Sequence, residues 1–232
     1  ISDIDNILQW ALSTIMPEKS RKNRVKQISY LSNLKQELFS NSEVNMLFSR
    51  VNEETLSIDD QSNFREMKKQ FLYYQALPKK LIDQKTKLSL TCEGVWRKAK
   101  QEKKFKLVSQ ELKCLLAVIK EEGKILSEEL SCSPYDALIK NYEESYSSKE
   151  IEKLFKKIHP FIDKIYKKII KKQNKEILIP ISKNLNEQQQ FEISKFFMKR
   201  IGFNFNQGRL DKSLHPFCGG GINDIRITTR IN

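Results

Sequence analysis

Residues Arg209–Asn232 read RLDKSLHPFCGGGINDIRITTRIN, and this stretch decides how the rest of the chain is understood. It breaks with everything before it. Pro216 holds His215 in extended backbone. Gly219, Gly220 and Gly221 allow tight turning or a close approach of the backbone to a ligand. Beyond them Ile225, Ile227, Thr229 and Ile231 alternate with Arg226, Thr228 and Arg230, the period of a half-buried strand. Asp224, Arg226 and Thr228 therefore share one face, with Arg230 beyond them. A carboxylate, a guanidinium and a hydroxyl on one side of a strand can hold a peptide backbone or a terminal carboxylate. The same residues also fit an exposed edge strand with a local Asp–Arg pair. Taken singly, His215 reads as a structural histidine and His159 as a helix residue near solvent.

Upstream the period changes to that of helices. Ile4, Ile7, Leu8, Ala11 and Ile15 lie on one side of a helix over 4–15, which Met16-Pro17 interrupts. A second helix runs over 20–39, followed by short polar pieces over 40–61 and a helix over 63–75. Pro78 restarts the chain at a first-turn position. The helix after it carries Leu81, Lys85, Leu88, Cys92, Val95, Trp96 and Ala99 at helical spacing, with the Lys85 stem lying along the apolar face. Another helix covers 106–130, with Gly123 inside it at a cost of about 1 kcal/mol against Ala. A short helix follows Pro134. Ser147 and Glu150 form a capping box before the cleanest apolar stripe in the chain, Ile151 to Ile169, where Pro160 is expected to bend the helix. Residues 177–182 read as extended. Asn186 and Gln189 cap a helix containing Phe191, Phe196, Phe197 and Ile201, with Gly202 as its C-terminal stop. The expected fold is mainly α: long antiparallel helices with a small extended or β segment near the C-terminus.

Composition narrows the function classes. The 232 residues carry 42 Lys+Arg against 29 Asp+Glu, a net charge of +13. Lysine alternates with glutamate nearly everywhere, which fits solvated helix faces. The largest local excess, Lys149 to Lys175, has its aromatics on the apolar stripe and not interleaved as a single-strand nucleic-acid platform requires. Nucleic acid is thus not the expected partner. No stretch is apolar enough to span a membrane. Cys92, Cys114, Cys132 and Cys218 form no CxxC pair and no zinc spacing, and free thiols fit a reducing cytoplasm. The chain begins at Ile1 and not Met, so a natural N-terminus is expected upstream.

Residues 204–231 resemble the segment of the carboxypeptidase Taq family of thermostable metallocarboxypeptidases that carries its HPF and DxRxT motifs, here His215-Pro216-Phe217 and Asp224-Ile225-Arg226-Ile227-Thr228. The approach GFNFNQGRLDKSLHPF and the exit TTR are similar to that family as well. So are SPYDALIKNYE (133–143), LPKKLIDQ with the Trp96 region, and Trp10, Thr14, Met16 and Pro17. The likeness covers essentially the whole chain. Cys218 departs from it, standing where the family usually has a small hydroxyl residue. The resemblance implies a nearly all-helical enzyme with a deep groove. Such an enzyme releases amino acids one at a time from a peptide's free C-terminus, and is usually a homodimer. It also implies one divalent metal, usually zinc, held by HExxH and a downstream Glu, with the HExxH glutamate as general base.

This sequence contains no HExxH, and a family enzyme is roughly twice as long. The resemblance therefore implies no catalytic residue and no metal ligand in this chain. What it does imply is substrate-groove wall: His215, Pro216, Phe217, Asp224, Arg226, Thr228 and Arg230. Residues 1–130 are expected to form N-terminal helical hairpins, a groove wall or lid. Residues 131–232 are expected to start the catalytic body and end before the HExxH helix, the two forming one continuous fold. The expectation is half of a helical metallopeptidase, inactive alone, arising from a shortened clone, a broken gene or a split enzyme whose other polypeptide supplies the metal site. The alternative is a non-catalytic basic helical remnant or binding subunit, for nucleic acid or a partner chain.

Overall fold

The computed structural model describes residues 1–177 and 185–231. Among these, nine α-helices precede a three-stranded sheet. The helices are α1 (Ser2–Ser13), α2 (Arg21–Phe39), α3 (Ser42–Arg50), α4 (Ile58–Ala76), α5 (Lys79–Gln101), α6 (Lys106–Glu129), α7 (Pro134–Ile139), α8 (Ser148–Gln173) and α9 (Glu187–Arg200). The strands are β1 (Gly208–Lys212), β2 (Cys218–Gly221) and β3 (Asp224–Thr229). The mainly helical architecture with a small terminal sheet is the one expected from the sequence. The extended piece expected over 177–182 lies, beyond Ile177, outside the described residues.

Several helix limits follow from local chemistry. Ser57 accepts the Asp60 N–H and starts α4 at Ile58, a turn and a half before the expected start. Asn41 accepts the Glu43 N–H and starts α3, a helix where only short polar pieces were expected. Both capping boxes are formed, at Ser147–Glu150 and at Asn186–Gln189. Gly202 ends α9 with φ +88°, the left-handed stop a glycine adopts at no steric cost. Pro160 lies within the continuous helix α8.

The core sits where the middle helices meet. Leu77, Leu81, Ile82, Val118, Leu126 and Ala137 form one cluster, joining α4's end to α5, α6 and α7. Smaller clusters hold α1 and α2 to α5 (Leu12, Ile28, Leu90) and α5 to α6 (Cys92, Ala99, Val108). Gly123 has a packing reason, because a Cβ there would lie 3.0 Å from the Pro134 carbonyl and 3.1 Å from Leu138. Its propensity cost is the condition for α7 to lie against α6. Lys85 does more than lay its stem on a face. Its Nζ lies 2.7 Å from the wholly buried Glu122 carboxylate and 3.2 Å from the Tyr73 hydroxyl, tying α4, α5 and α6 together. In α8 and α9 no residue is buried.

The sheet order is β1-β3-β2, with β3 parallel to β1 and antiparallel to β2. Arg209 pairs with Arg226, and Asp211 with Thr228. Neighbouring positions share a face, so five polar residues converge on one side of the sheet.

Candidate functional site

That polar side rests on α1. Trp10, only 5% exposed, lies with its ring 4.3 Å from the Arg226 guanidinium and 5.1 Å from that of Arg209. Its indole N–H donates to Asp211 Oδ2 at 3.2 Å. Asp211 in turn accepts two bonds from Arg209, at 2.8 and 2.6 Å. Asp224 accepts two from Arg226, from Nε at 2.5 Å and Nη2 at 2.9 Å. Two Arg–Asp pairs thus flank one aromatic ring, combining bidentate geometry with cation–π contact. The Arg226 bonds, with further help from the Arg209 charge, hold the Asp224 carboxyl below its ordinary range against the opposing effect of burial. Bonding to Asp211 likewise raises Arg209.

The glycine-rich strand fits over the N-terminal part of α1. Asn6 Nδ2 donates to the Gly220 carbonyl at 2.9 Å, and the Asp3 carboxylate lies beside Gly221. Gly220 has φ +96°, and a Cβ there would fall 2.0 Å from the Asp224 carbonyl, so only glycine lets β2 meet β3 in this register.

The expected groove residues take different positions. Thr228 is 4% exposed. Its hydroxyl accepts the Phe217 N–H at 2.8 Å and donates to the Phe217 carbonyl at 3.1 Å, and its own N–H bonds that carbonyl at 2.9 Å. It fastens the HPF turn to β3. Phe217 is half-buried, whereas His215 and Pro216 are exposed. The His215 ring meets Trp96 of α5 edge-on, 6.4 Å between centroids, so α5 supports the same loop from the other side. Asp224 and Arg226 are paired with each other. Arg230 is exposed and pairs with no carboxylate among the described residues. The face opposite Trp10 holds buried Leu210 and the partly exposed Ile225.

Three members of this site were not among the candidates from the sequence: Trp10, Arg209 and Asp211. Arg209 and Asp211 stand two apart, as Asp224 and Arg226 do, and that repeated spacing is the signal that could have found them. Trp10 carries no such spacing; it is marked only as part of the resemblance, with Thr14, Met16 and Pro17, and not as a member of the site.

The arrangement is a polar sheet face that carries the exposed Arg209 and Arg230 and the largely buried Arg226. Solved structures that share this helical body and terminal sheet include metallocarboxypeptidases. The crystal structure of BsuCP superposes with a TM-score of 0.89 at 26% identity, covering 100% of this chain and 47% of that one. Trypanosoma cruzi metallocarboxypeptidase 1 gives 0.81 at 26% identity, covering 99% and 47%. The profile of the carboxypeptidase Taq (M32) metallopeptidase family matches residues 1–232, and the chain belongs to that family. Among curated relatives, thermostable carboxypeptidase 1 of Pyrococcus furiosus is 29% identical over 99% of this chain and 46% of its own length. Carboxypeptidase 1 of Bacillus subtilis is 27% identical over 97% and 45%. The chain spans about half the length of the curated relatives it matches.

Proposed function

We propose that this chain forms the substrate-groove wall of a metal-dependent carboxypeptidase that releases C-terminal amino acids from peptides. The observation that carries this reading is the family match along residues 1–232. In support, the sheet presents exposed His215, Pro216 and Arg230 beside the braced Arg226. In this reading Arg230, together with Arg226 Nη1, supplies positive charge for the substrate's terminal carboxylate. His215, Pro216 and Phe217 shape the wall, Asp224 orients Arg226, and Thr228 fixes the loop. Residues 1–130 act as wall or lid and residues 131–232 as the start of the catalytic body, in one continuous fold.

Zinc or another divalent ion requires three or four converging protein ligands. Among the described residues no group of three or more His, Cys, Asp or Glu is so placed. His159 on α8 faces Asp163 of its own helix, and His215 is on the sheet loop against Trp96. The residues present do not fit the metal, and no step through it is assigned to them. The metal centre belongs instead to the portion of the family fold outside these 232 residues, so the span alone is expected to be inactive. Its four cysteines are unpaired, which suits a reducing cytoplasm. None of its described helices is long and apolar enough to cross a membrane.

The test takes the native species carrying this sequence from its own cells, weighs it intact, and assays release of C-terminal amino acids with and without chelator. Release that stops on chelation and returns with zinc or another divalent ion supports the reading. Arg226→Ala in that species should raise KM at least tenfold. An HExxH-bearing species that releases nothing, or an unchanged KM and kcat in the variant, overturns it.

A further inference from the structure

Among the described helices α3, α8 and α9 have no buried residue, and of these α8 and α9 leave the most large apolar side chains exposed. In α8, Ile151, Phe155, Ile158, Ile162, Ile165 and Ile169 follow one another at alternating steps of four and three, a seam that keeps one helix face against a partner. Leu154 and Phe161 widen it on one side and Tyr166 on the other. Phe161 is 63% exposed and Tyr166 62%. At 3.6 residues per turn the apolar arc from Phe161 to Tyr166 spans about 140°, and from Leu154 to Ile169 it runs roughly 23 Å. Lysines, among them Lys153, Lys157, Lys164 and Lys167, fill the opposite side. On α9, Phe196 and Phe197 form an edge-on pair that is likewise exposed, while an ion pair from Glu187 to Lys212 ties the helix to β1.

Two facts identify the occupant. An arc this wide suits contact with a body of at least two helices. A zipper with a second copy needs only the narrow seam. Furthermore, the superposed relatives accommodate this whole chain in 47% of their length, so a comparable mass of their fold is packed against some face of this half.

We infer that the apolar faces of α8 and α9 are the seam on which the other helical half of the carboxypeptidase body docks, whether that half continues the same chain or comes as a separate polypeptide. This rests on the reading in the preceding subsection and adds to it the surface and the residues.

The experiment places the photo-crosslinker p-benzoylphenylalanine at Phe161 and, separately, at Phe196 in the native gene. A control at Lys167 lies on the opposite side of α8. After irradiation in the protein's own cells, crosslinked peptides are sequenced by mass spectrometry, and intact particles are weighed. The expected products from positions 161 and 196 join this span to the HExxH-bearing half, with position 167 giving at least tenfold less. A second exchange, Phe155→Glu with Ile162→Glu, should weaken that assembly at least tenfold and leave the helical circular dichroism of this span unchanged. Crosslinks to a second copy of this span, adducts with anionic phospholipid, or equal yields at 161 and 167 overturn the seam. If the HExxH half is present in the weighed particle but silent at 161 and 196, the seam is wrong while the functional reading stands. If no HExxH polypeptide accompanies this sequence, both fall.

Discussion

Replacing Thr228 by Val tests whether this motif threonine braces the loop. Valine keeps the branched shape and puts a methyl where the hydroxyl was, so the hydrogen-bonding group is lost. That hydroxyl takes the Phe217 N–H at 2.8 Å and gives its own proton to the Phe217 carbonyl at 3.1 Å. Two hydrogen bonds are lost, each contributing about 0.5–1.5 kcal/mol. The carbonyl keeps its bond from the Thr228 N–H. The Phe217 N–H keeps nothing, and a stranded buried donor costs about 1–3 kcal/mol, the lower figure applying at a half-buried residue. The expected loss is roughly 1.5–3 kcal/mol. Thr228→Ser keeps both bonds and gives up one buried methyl, about 1 kcal/mol. Valine should therefore be the worse of the two, by urea unfolding followed at 222 nm. Exchange of the Phe217 amide should also quicken by roughly 10- to 150-fold in the valine variant. A valine variant as stable as the parent, or a serine variant less stable than valine, would refute a bracing hydroxyl and leave the side chain with a packing role only.

Three other outcomes follow from packing and charge. Lys85→Met strands the buried Glu122 carboxylate and should cost about 3 kcal/mol, the low end of the range for broken buried pairs because Lys85 is partly exposed. Adding Glu122→Leu should return most of it, and a double variant no more stable than the single one in denaturant titration argues against the pair. Trp10→Phe removes the indole bond to Asp211 and should cost about 1.5–3 kcal/mol, the range for bonds to a charged group; hydrogen exchange should show the loss at the β1 amides and not in α6. Burial, and then the neighbouring Glu122, push the Tyr73 phenol well above its ordinary value. Below about pH 10 both folded and unfolded tyrosine hold the proton, and stability does not respond. Above it only the unfolded chain ionises, so stability falls with rising pH. Urea midpoints between pH 8 and 11 should decline less in Tyr73→Phe than in the parent, and parallel declines would contradict this.

Local chemistry made the helices legible. Helical period and the Ser147 and Asn186 caps announce α8 and α9 without help from the rest of the chain. Where the signal was weaker, limits slipped: Ser57 is answered by Asp60, a shorter side chain than the Glu or Gln of a standard capping box, so α4 was read as starting late. Strand β1 was not read at all. GRLDK offers one apolar residue and no alternation, and it becomes a strand because β3 lies beside it in parallel, a pairing that depends on register across 17 residues. Period two alone places Asp224, Arg226 and Thr228 on one face. That the face is covered by Trp10 depends on a contact between residues 201 apart, and nothing local encodes that. Nor does amphipathicity say whether a face is covered. The stripe of α8 was plain in the sequence, yet in this half of the fold it is bare.

The charge on the Trp10 face sums to zero: Arg209 and Arg226 against Asp211 and Asp224. A neutral, reciprocally bonded set around a buried ring has little freedom to rearrange, since moving either guanidinium breaks two charge-assisted bonds and a ring contact together. If this face meets the substrate as proposed, it presents donors already in place, the arrangement in which electrostatic recognition needs little reorganisation. Arg226 has one terminal nitrogen, Nη1, left for that use, and Arg230 is unpaired among the described residues. In the proposed reading, recognition of a carboxylate divides between the braced Arg226 and the exposed Arg230. Arg226, held by Trp10 and Asp224, would set position. The exposed Arg230 would add attraction that salt screens readily. Raising ionic strength in the complete enzyme should thus weaken the Arg230 contribution while leaving the positional effect of Arg226 largely intact.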